Sequence, residues 1–229
     1  MSAPNSVAII PHGGEVAYKA KGQDYFSGVR RDYIGELPSN PKARILEIGC
    51  GAGETGLYAL REGKCGTYCG VELCENVANL ARGGISYVVV GNIEEVELPW
   101  PPGSFDTLIL SEVLEHLVDP WSVLCKLRPL MKPGATIFAS SPNISHYSVI
   151  RMLLRGEWRL ADRGIMDRTH LRWFTPITYR ELFESAGYRV DSAREVVPLG
   201  LKARLATACS LGRLRHLFIG QIDLRGHCE

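Results

Sequence analysis

The chain has 229 residues, 45% of them hydrophobic and 22% charged, with a formal net charge of +1. That length and balance suit one globular domain with a full core, and they exclude a nucleic-acid binder that works by bulk charge, though not a local basic patch. No apolar run reaches the roughly 20 residues of a membrane span, and the opening MSAPNSVAIIPHGG lacks the basic start and apolar core of a secretory signal.

Residues 1–42, with Tyr18, Tyr25, Phe26 and Tyr33, read as an N-terminal helical cap on a main domain spanning 43–229. From about 43 to 141, short apolar runs alternate with helical stretches. The expected strands are ARILEIG, TYCGVEL, SYVVVGN, FDTLILS and ATIFASSP, with helices near 55–62, 75–82 and 120–130. Strand and helix alternating at this pitch predict an α/β fold, a parallel sheet with helices on both faces. Ligands in such sheets bind beyond the carboxyl ends of the strands. Cys65, Cys69 and Cys74 read as small residues around the second strand. The seven cysteines are odd in number and form no C-x-x-C pair, so reduced thiols in a cytoplasm fit better than a disulfide framework or a zinc knuckle. Residues 142–175 break the rhythm and are rich in Arg, His and aromatics, as expected of an insertion that lids the site. PITYRELFESAGY then reads as a helix with Pro176 near its start and Gly187 at its end. YRVDSAREVV reads as a strand, 199–217 as one basic apolar helix, and FIGQIDL as a last edge strand.

The run ILEIGCGAGETG places Gly49, Gly51 and Gly53 after a strand and before a helix, and Glu72 follows about 20 residues later at the end of the second strand. Alone, that is the geometry of a dinucleotide site, with an acid for ribose hydroxyls. Glu47, two residues before Gly49, argues otherwise. A carboxylate at the loop's mouth repels a pyrophosphate and attracts an ammonium and a sulfonium, which S-adenosylmethionine (SAM) carries. A P-loop is excluded because no Gly-Lys-Ser/Thr follows.

E-x-G-x-G-x-G, the acid at the second strand end, G-N-I after the third strand and FDTLILSEVLEHL at the fourth together resemble the class I SAM-dependent methyltransferases, over about residues 43–190. The resemblance implies a seven-stranded, Rossmann-like, mostly parallel sheet. It implies a cofactor site of Glu47, Gly49, Cys50, Gly51, Gly53, Glu72, Leu73, Asn92, Ile93 and Ser111. In that site Glu72 would bind both ribose hydroxyls and Ile93 would pack on the adenine. Many relatives carry Asp where this chain has Asn92. Its amide oxygen can still accept from the adenine amine, or the residue is a turn former.

Glu112, Glu115 and His116 follow the fourth strand at spacings that share one face if the segment is helical. Two carboxylates and an imidazole make a plausible divalent-cation site. EVLEH resembles two metal-using branches of the family: the ubiquinone-pathway O-methyltransferases acting on a catechol, and the small-RNA methyltransferases that modify a terminal ribose 2′-hydroxyl. The RNA branch adds a later His, to which His170 in THLRWFT corresponds. The resemblance therefore implies Mg²⁺ or Mn²⁺ on Glu112, Glu115, His116 and His170, gripping a vicinal diol, with Glu112, His116 and His170 as the catalytic groups. Metal-free relatives also carry this motif. In them His116 shapes the site floor or caps a helix, Glu115 pairs with a base, and His170 is a general base or a structural residue.

Residues 141–187 are similar to bacterial methyltransferases found with glycosyltransferases of surface-polysaccharide synthesis, which implies a sugar or glycan acceptor. Trp158, Trp173, Arg163, Arg168 and Arg172 are the expected lid contacts, rings for a sugar's apolar face and guanidinium groups for anions. RNA is disfavoured as acceptor by the near-neutral charge and the lack of a recognisable RNA module. The basic tail (Lys202, Arg204, Arg213, Arg215) is an RNA patch, the solvated side of an amphipathic helix, or a membrane-surface contact. The rivals to an enzyme of this kind are a SAM-binding sensor and a nicotinamide dehydrogenase.

Overall fold

A computed structural model describes residues 28–195 and 200–229. Most of the expected N-terminal cap, with Tyr18, Tyr25 and Phe26, lies outside them. Within them the elements run α1 (Arg31–Glu36), β1 (Arg44–Ile48), α2 (Glu54–Arg61), β2 (Thr67–Glu72), α3 (Glu75–Ala81), β3 (Tyr87–Val90) and β4 (Phe105–Ser111). They continue with α4 (Pro120–Leu127), β5 (Met131–Pro142), α5 (Tyr147–Leu153), α6 (Pro176–Ser185), β6 (Tyr188–Glu195), α7 (Leu201–Cys209) and β7 (Gln221–Cys228).

The sheet has seven strands in the order β3-β2-β1-β4-β5-β7-β6. The first five are parallel, and β7 runs antiparallel to both β5 and β6. This is the mostly parallel, Rossmann-like α/β fold. The last strand departs from expectation, because β7 lies inside the sheet and β6 takes the edge. β5 leaves its far side open to pairing, and β7 runs along it from Thr136↔His227 to Pro142↔Gln221.

Alternation along the strands builds a core on each face. Leu46, Leu108 and Ile137 point to one face, where they meet Leu124 of α4 and Leu182 of α6. Ile45, Ile109 and Phe138 point to the other, where they meet Tyr33 and Ile34 of α1 and Ala59 of α2. The helix α1 is tied down through Tyr33, whose ring stacks on Phe138 at 4.9 Å. The Arg30 and Arg225 guanidinium carbons lie 3.5 and 4.5 Å from the same ring centre. Arg225 also donates two hydrogen bonds to the Glu36 carboxylate at 2.8 and 2.9 Å.

The expected helix over 199–217 is broken. α7 ends at Cys209, Leu211 and Gly212 adopt φ of +52° and +83°, and a 3₁₀ turn follows at Arg215–Phe218. The chain reverses there so that β7 can enter the sheet.

Candidate active site

The parallel order reverses at β1, which pairs β2 on one side and β4 on the other. Loops from the carboxyl ends of β1, β2, β3 and β4 diverge there and open a crevice. Gly49, Gly51 and Gly53 take φ of +71°, +53° and +78°, left-handed values that L side chains rarely adopt. They do different work. A Cβ on Gly49 would stand 2.7 Å from the Val113 methyl, so the loop passes directly beneath the turn after β4. A Cβ on Gly53 would meet Ala81 at 3.0 Å, so this glycine brings α2 against α3 and lines neither cavity of the crevice.

The first cavity is lined by Glu72, Leu73, Asn92, Ile93, Val113 and Leu171 among others. The second adjoins it and holds Arg30, Glu47, Gly51, Ser111, Asp167 and Gln221. Gly49, Glu112, Val113 and His116 border both. Glu72 is buried and takes backbone N–H groups of Gly51 and Cys74 on its two oxygens, at 3.0 and 2.9 Å. It thus ties the glycine loop to β2, and each oxygen keeps a lone pair for a hydroxyl. Burial raises its pKa, and these hydrogen bonds oppose the rise. Asn92 accepts the Glu94 N–H at 3.0 Å, so its side chain forms a local turn at the cavity wall. Cys50 is buried in the loop, where burial pushes its thiol pKa up and keeps it protonated. Ser111 is engaged by the Arg30 guanidinium at 2.5 Å.

Glu47 is 4% exposed and accepts the Tyr68 hydroxyl at 2.8 Å. Burial raises its pKa to about 7, Glu72 adds to the rise, and the Tyr68 hydrogen bond and Arg30 oppose it. The second cavity therefore has a carboxylate ready to be ionised by an arriving cation.

The EVLEH turn is not α-helical. Glu112 sits at φ +54° and Leu114–His116 form a single 3₁₀ turn. Backbone N–H groups of Leu171 and Arg172 both donate to the Glu115 carbonyl, at 2.8 and 3.0 Å. This stitch brings the returning lid onto the turn and sets the His116 and His170 rings 4.8 Å apart. Glu115, His116 and His170 then offer ligand atoms that all lie within 4.8 Å of one another. Glu112 is not in that group; its carboxylate accepts the Gln221 amide at 2.7 Å, where the sequence had suggested a fourth ligand.

Each imidazole sets its Nδ1 against a carbonyl that can only accept, His116 against Thr169 and His170 against Ile165, both at 3.2 Å. The neutral tautomer so chosen has its proton on Nδ1 and a lone pair on Nε2, the arrangement metal-binding histidines use. Glu115 is 1% exposed, and neither oxygen receives a hydrogen bond of good geometry among the described residues; the nearby Ser141 hydroxyl is likewise unmatched. Burial, with Glu112 close by, raises its pKa well above the carboxylate range. An orphaned carboxylate beside two oriented imidazoles fits a divalent cation, and two nitrogens with one oxygen suit Mn²⁺ better than Mg²⁺.

The expected lid contacts lie elsewhere. Trp158 and Trp173 pack edge to face on each other at 5.6 Å, Arg168 pairs with Asp162 at 2.9 Å, and Arg172 donates to the Val118 carbonyl. None of these, nor Arg163, lines either cavity; Pro142, Gly164, Asp167, Thr169, His170 and Leu171 are the lid residues that do. Arg30, Asp167 and Gln221 belong to no motif, and only the folded chain brings them in.

The family model described as a methyltransferase domain matches residues 23–193. The chain belongs to the class I SAM-dependent methyltransferases. The ubiquinone biosynthesis O-methyltransferase of Xanthomonas campestris pv. campestris is 34% identical over 143 residues, 59% of each chain. The protein of that name from Aeromonas salmonicida is 29% identical over 154 residues, 64% of this chain and 63% of its own. This methyltransferase thus spans about three fifths of the length of the curated relatives it matches. A SAM-dependent methyltransferase from Mesorhizobium loti superposes with a TM-score of 0.60 at 17% identity, over 90% of this chain and all of that one, which shows the shared fold. The enzyme's cofactor is therefore SAM.

Proposed function

We infer that this methyltransferase acts on a hydroxyl of a small acceptor with two neighbouring oxygens, and that Glu115, His116 and His170 hold a divalent cation beside it. The observation that carries the reading is the buried, unmatched Glu115 carboxylate beside two imidazoles fixed in one tautomer. SAM fits with its adenosine in the first cavity, along Glu72, Leu73 and Ile93, and its cationic end toward Glu47 in the second. His116 borders both cavities, where the methyl would lie.

Methyl transfer is an in-line displacement: the acceptor oxygen forms a bond to the methyl carbon as the carbon–sulfur bond breaks, leaving S-adenosylhomocysteine. The acceptor proton must leave as the bond forms; with both Nε2 lone pairs on the cation it passes to the Glu112 carboxylate or to water, and in a metal-free site Nε2 of His170 or His116 takes it. A bound cation would lower the hydroxyl's pKa and hold its neighbour oxygen. The lid residues Asp167 and Leu171 narrow the crevice and align the acceptor.

The name of these ubiquinone biosynthesis relatives favours a quinone-type catechol as acceptor. The likeness of 141–187 to polysaccharide-associated methyltransferases keeps a sugar diol as the second reading. Calorimetric titration of S-adenosylhomocysteine with and without Mn²⁺ or Mg²⁺, with metal analysis of the chain and of Glu115→Ala, tests the site. A metal signal lost in the variant supports it; cofactor binding without metal removes the diol-gripping role. Catechols, methyl glycosides and RNA ends, assayed side by side with SAM, separate the acceptors.

A further inference from the structure

Two helices of this chain have an unusual relation to their surroundings. α7 buries none of its described side chains, and α5 buries only Val149. Helices of seven and nine residues are too short to persist on propensity alone and normally rest on a buried apolar face. Here the apolar faces point to water. Leu201 and Leu205 are four residues apart on α7, at 72% and 58% exposure, and Leu211 beyond it is 82% exposed. On α5, Ile150 and Leu153 are exposed, followed by Leu154 at 84%.

The two faces adjoin. The Tyr147 and Phe218 rings lie 6.3 Å apart, and the buried Asn143 amide donates to the His216 and Ile219 carbonyls at 2.7 and 2.6 Å. The start of α5 is thereby fixed on the turn that follows α7. Charge on this surface is mostly positive. Residues 200–219 carry Lys202, Arg204, Arg213 and Arg215 and no acid; residues 144–160 carry Arg151, Arg155 and Arg159 against Glu157 alone. Arg151, Arg155, Arg204 and Arg213 are exposed.

Leucines and arginines interleaved on exposed short helices match a surface that is apolar below and anionic above. Nucleic acid would meet the arginines and leave the leucines without a partner. A second copy on a two-fold axis would set the same cations against themselves. We propose that α5, α7 and the turns beside them form a docking face for an anionic lipid leaflet, with the exposed leucines in the acyl boundary and the arginines at the phosphates. No helix among the described residues is long and apolar enough to cross a membrane. The insertion that bears Leu153 and Leu154 also supplies Asp167 and His170 to the second cavity, so the docked face belongs to the acceptor side of the enzyme.

The test is co-sedimentation of the full chain with vesicles of phosphatidylcholine alone or mixed with phosphatidylglycerol, at low and raised salt. Binding to the mixed vesicles only, weakened by salt and reduced about tenfold in Leu201→Glu/Leu205→Glu and in Leu153→Glu/Leu154→Glu, is the expected result. Retained S-adenosylhomocysteine binding shows that the variants fold. If either variant does not fold, quenching of Trp158 fluorescence by brominated lipid in the unsubstituted chain, absent in Trp158→Phe, gives the same answer. Three outcomes overturn the proposal. One is no binding to mixed vesicles. Another is equal binding by the leucine variants with loss only in Arg204→Gln/Arg213→Gln, which marks a charge patch for a polyanion. The third is a dimer that the leucine variants dissolve while vesicles are ignored.

Discussion

Replacing Glu47 by Gln keeps the Tyr68 hydrogen bond and removes the charge. Burial raises this carboxyl from an ordinary 4.5 to about 7. Between those values the folded chain holds a proton that the unfolded chain has released, so stability falls as pH rises through the window and stays lowered above it. At 1.36 kcal/mol per unit, the ionised carboxylate costs the cofactor-free fold about 3 kcal/mol at pH 8. Glu47→Gln is therefore expected to raise the melting temperature of the apo enzyme at pH 8 by roughly 6–12 °C. At about pH 4.5 or below, where the native carboxyl is protonated, the two chains should melt together. The cofactor reverses the preference. Its ammonium needs the ionised form, so the native chain should bind S-adenosylhomocysteine about tenfold more weakly at pH 6 than at pH 8. The variant should bind weakly and without that slope. Differential scanning calorimetry and isothermal titration across this range measure both. Equal melting temperatures at pH 8, or an unchanged pH slope in the variant, would refute the assignment of Glu47 as the cation-facing carboxylate.

Three further substitutions follow from the geometry. Gly49→Ala sets a methyl 2.7 Å from Val113 on a left-handed backbone, so it should cost roughly 1–3 kcal/mol in urea unfolding and abolish cofactor binding. Glu112→Gly relieves the φ of +54° and removes a half-buried acid; the chain should gain about 1 kcal/mol while turnover falls at least tenfold. Arg225→Met breaks the paired hydrogen bonds to Glu36 and the cation over Tyr33, at a cost of about 1–3 kcal/mol, and limited proteolysis should then cut around α1.

Much of this was readable in the chain because it is local. A glycine loop, an acid at a strand end and an apolar alternation each act within a few residues, and β1 through β5 with their helices fall where the periodicities put them. What was missed is remote or strained. Arg30 reaches Ser111 across 81 positions and Gln221 reaches Glu112 across 109, and no spacing rule encodes either contact. The left-handed Glu112 turned an expected helical face into a 3₁₀ turn, and Glu112 stands outside the cluster of Glu115, His116 and His170. FIGQIDL alternates as an edge strand would, and only the sheet's order makes it interior. The break in the tail had a visible sign in Gly212, a residue that commonly ends a helix.

The place of β7 bears on how the enzyme is made. A ribosome delivers residues 188–195 before residues 221–228, yet β6 reaches the sheet through β7. During synthesis the earlier strand must wait, and β5 presents a bare edge that invites wrong pairings. Gln221, the first residue of the late strand, is also the partner of Glu112 in the crevice. Completion of the sheet and placement of Glu112's partner are thus one event: until β7 pairs, Glu112 lacks the Gln221 amide.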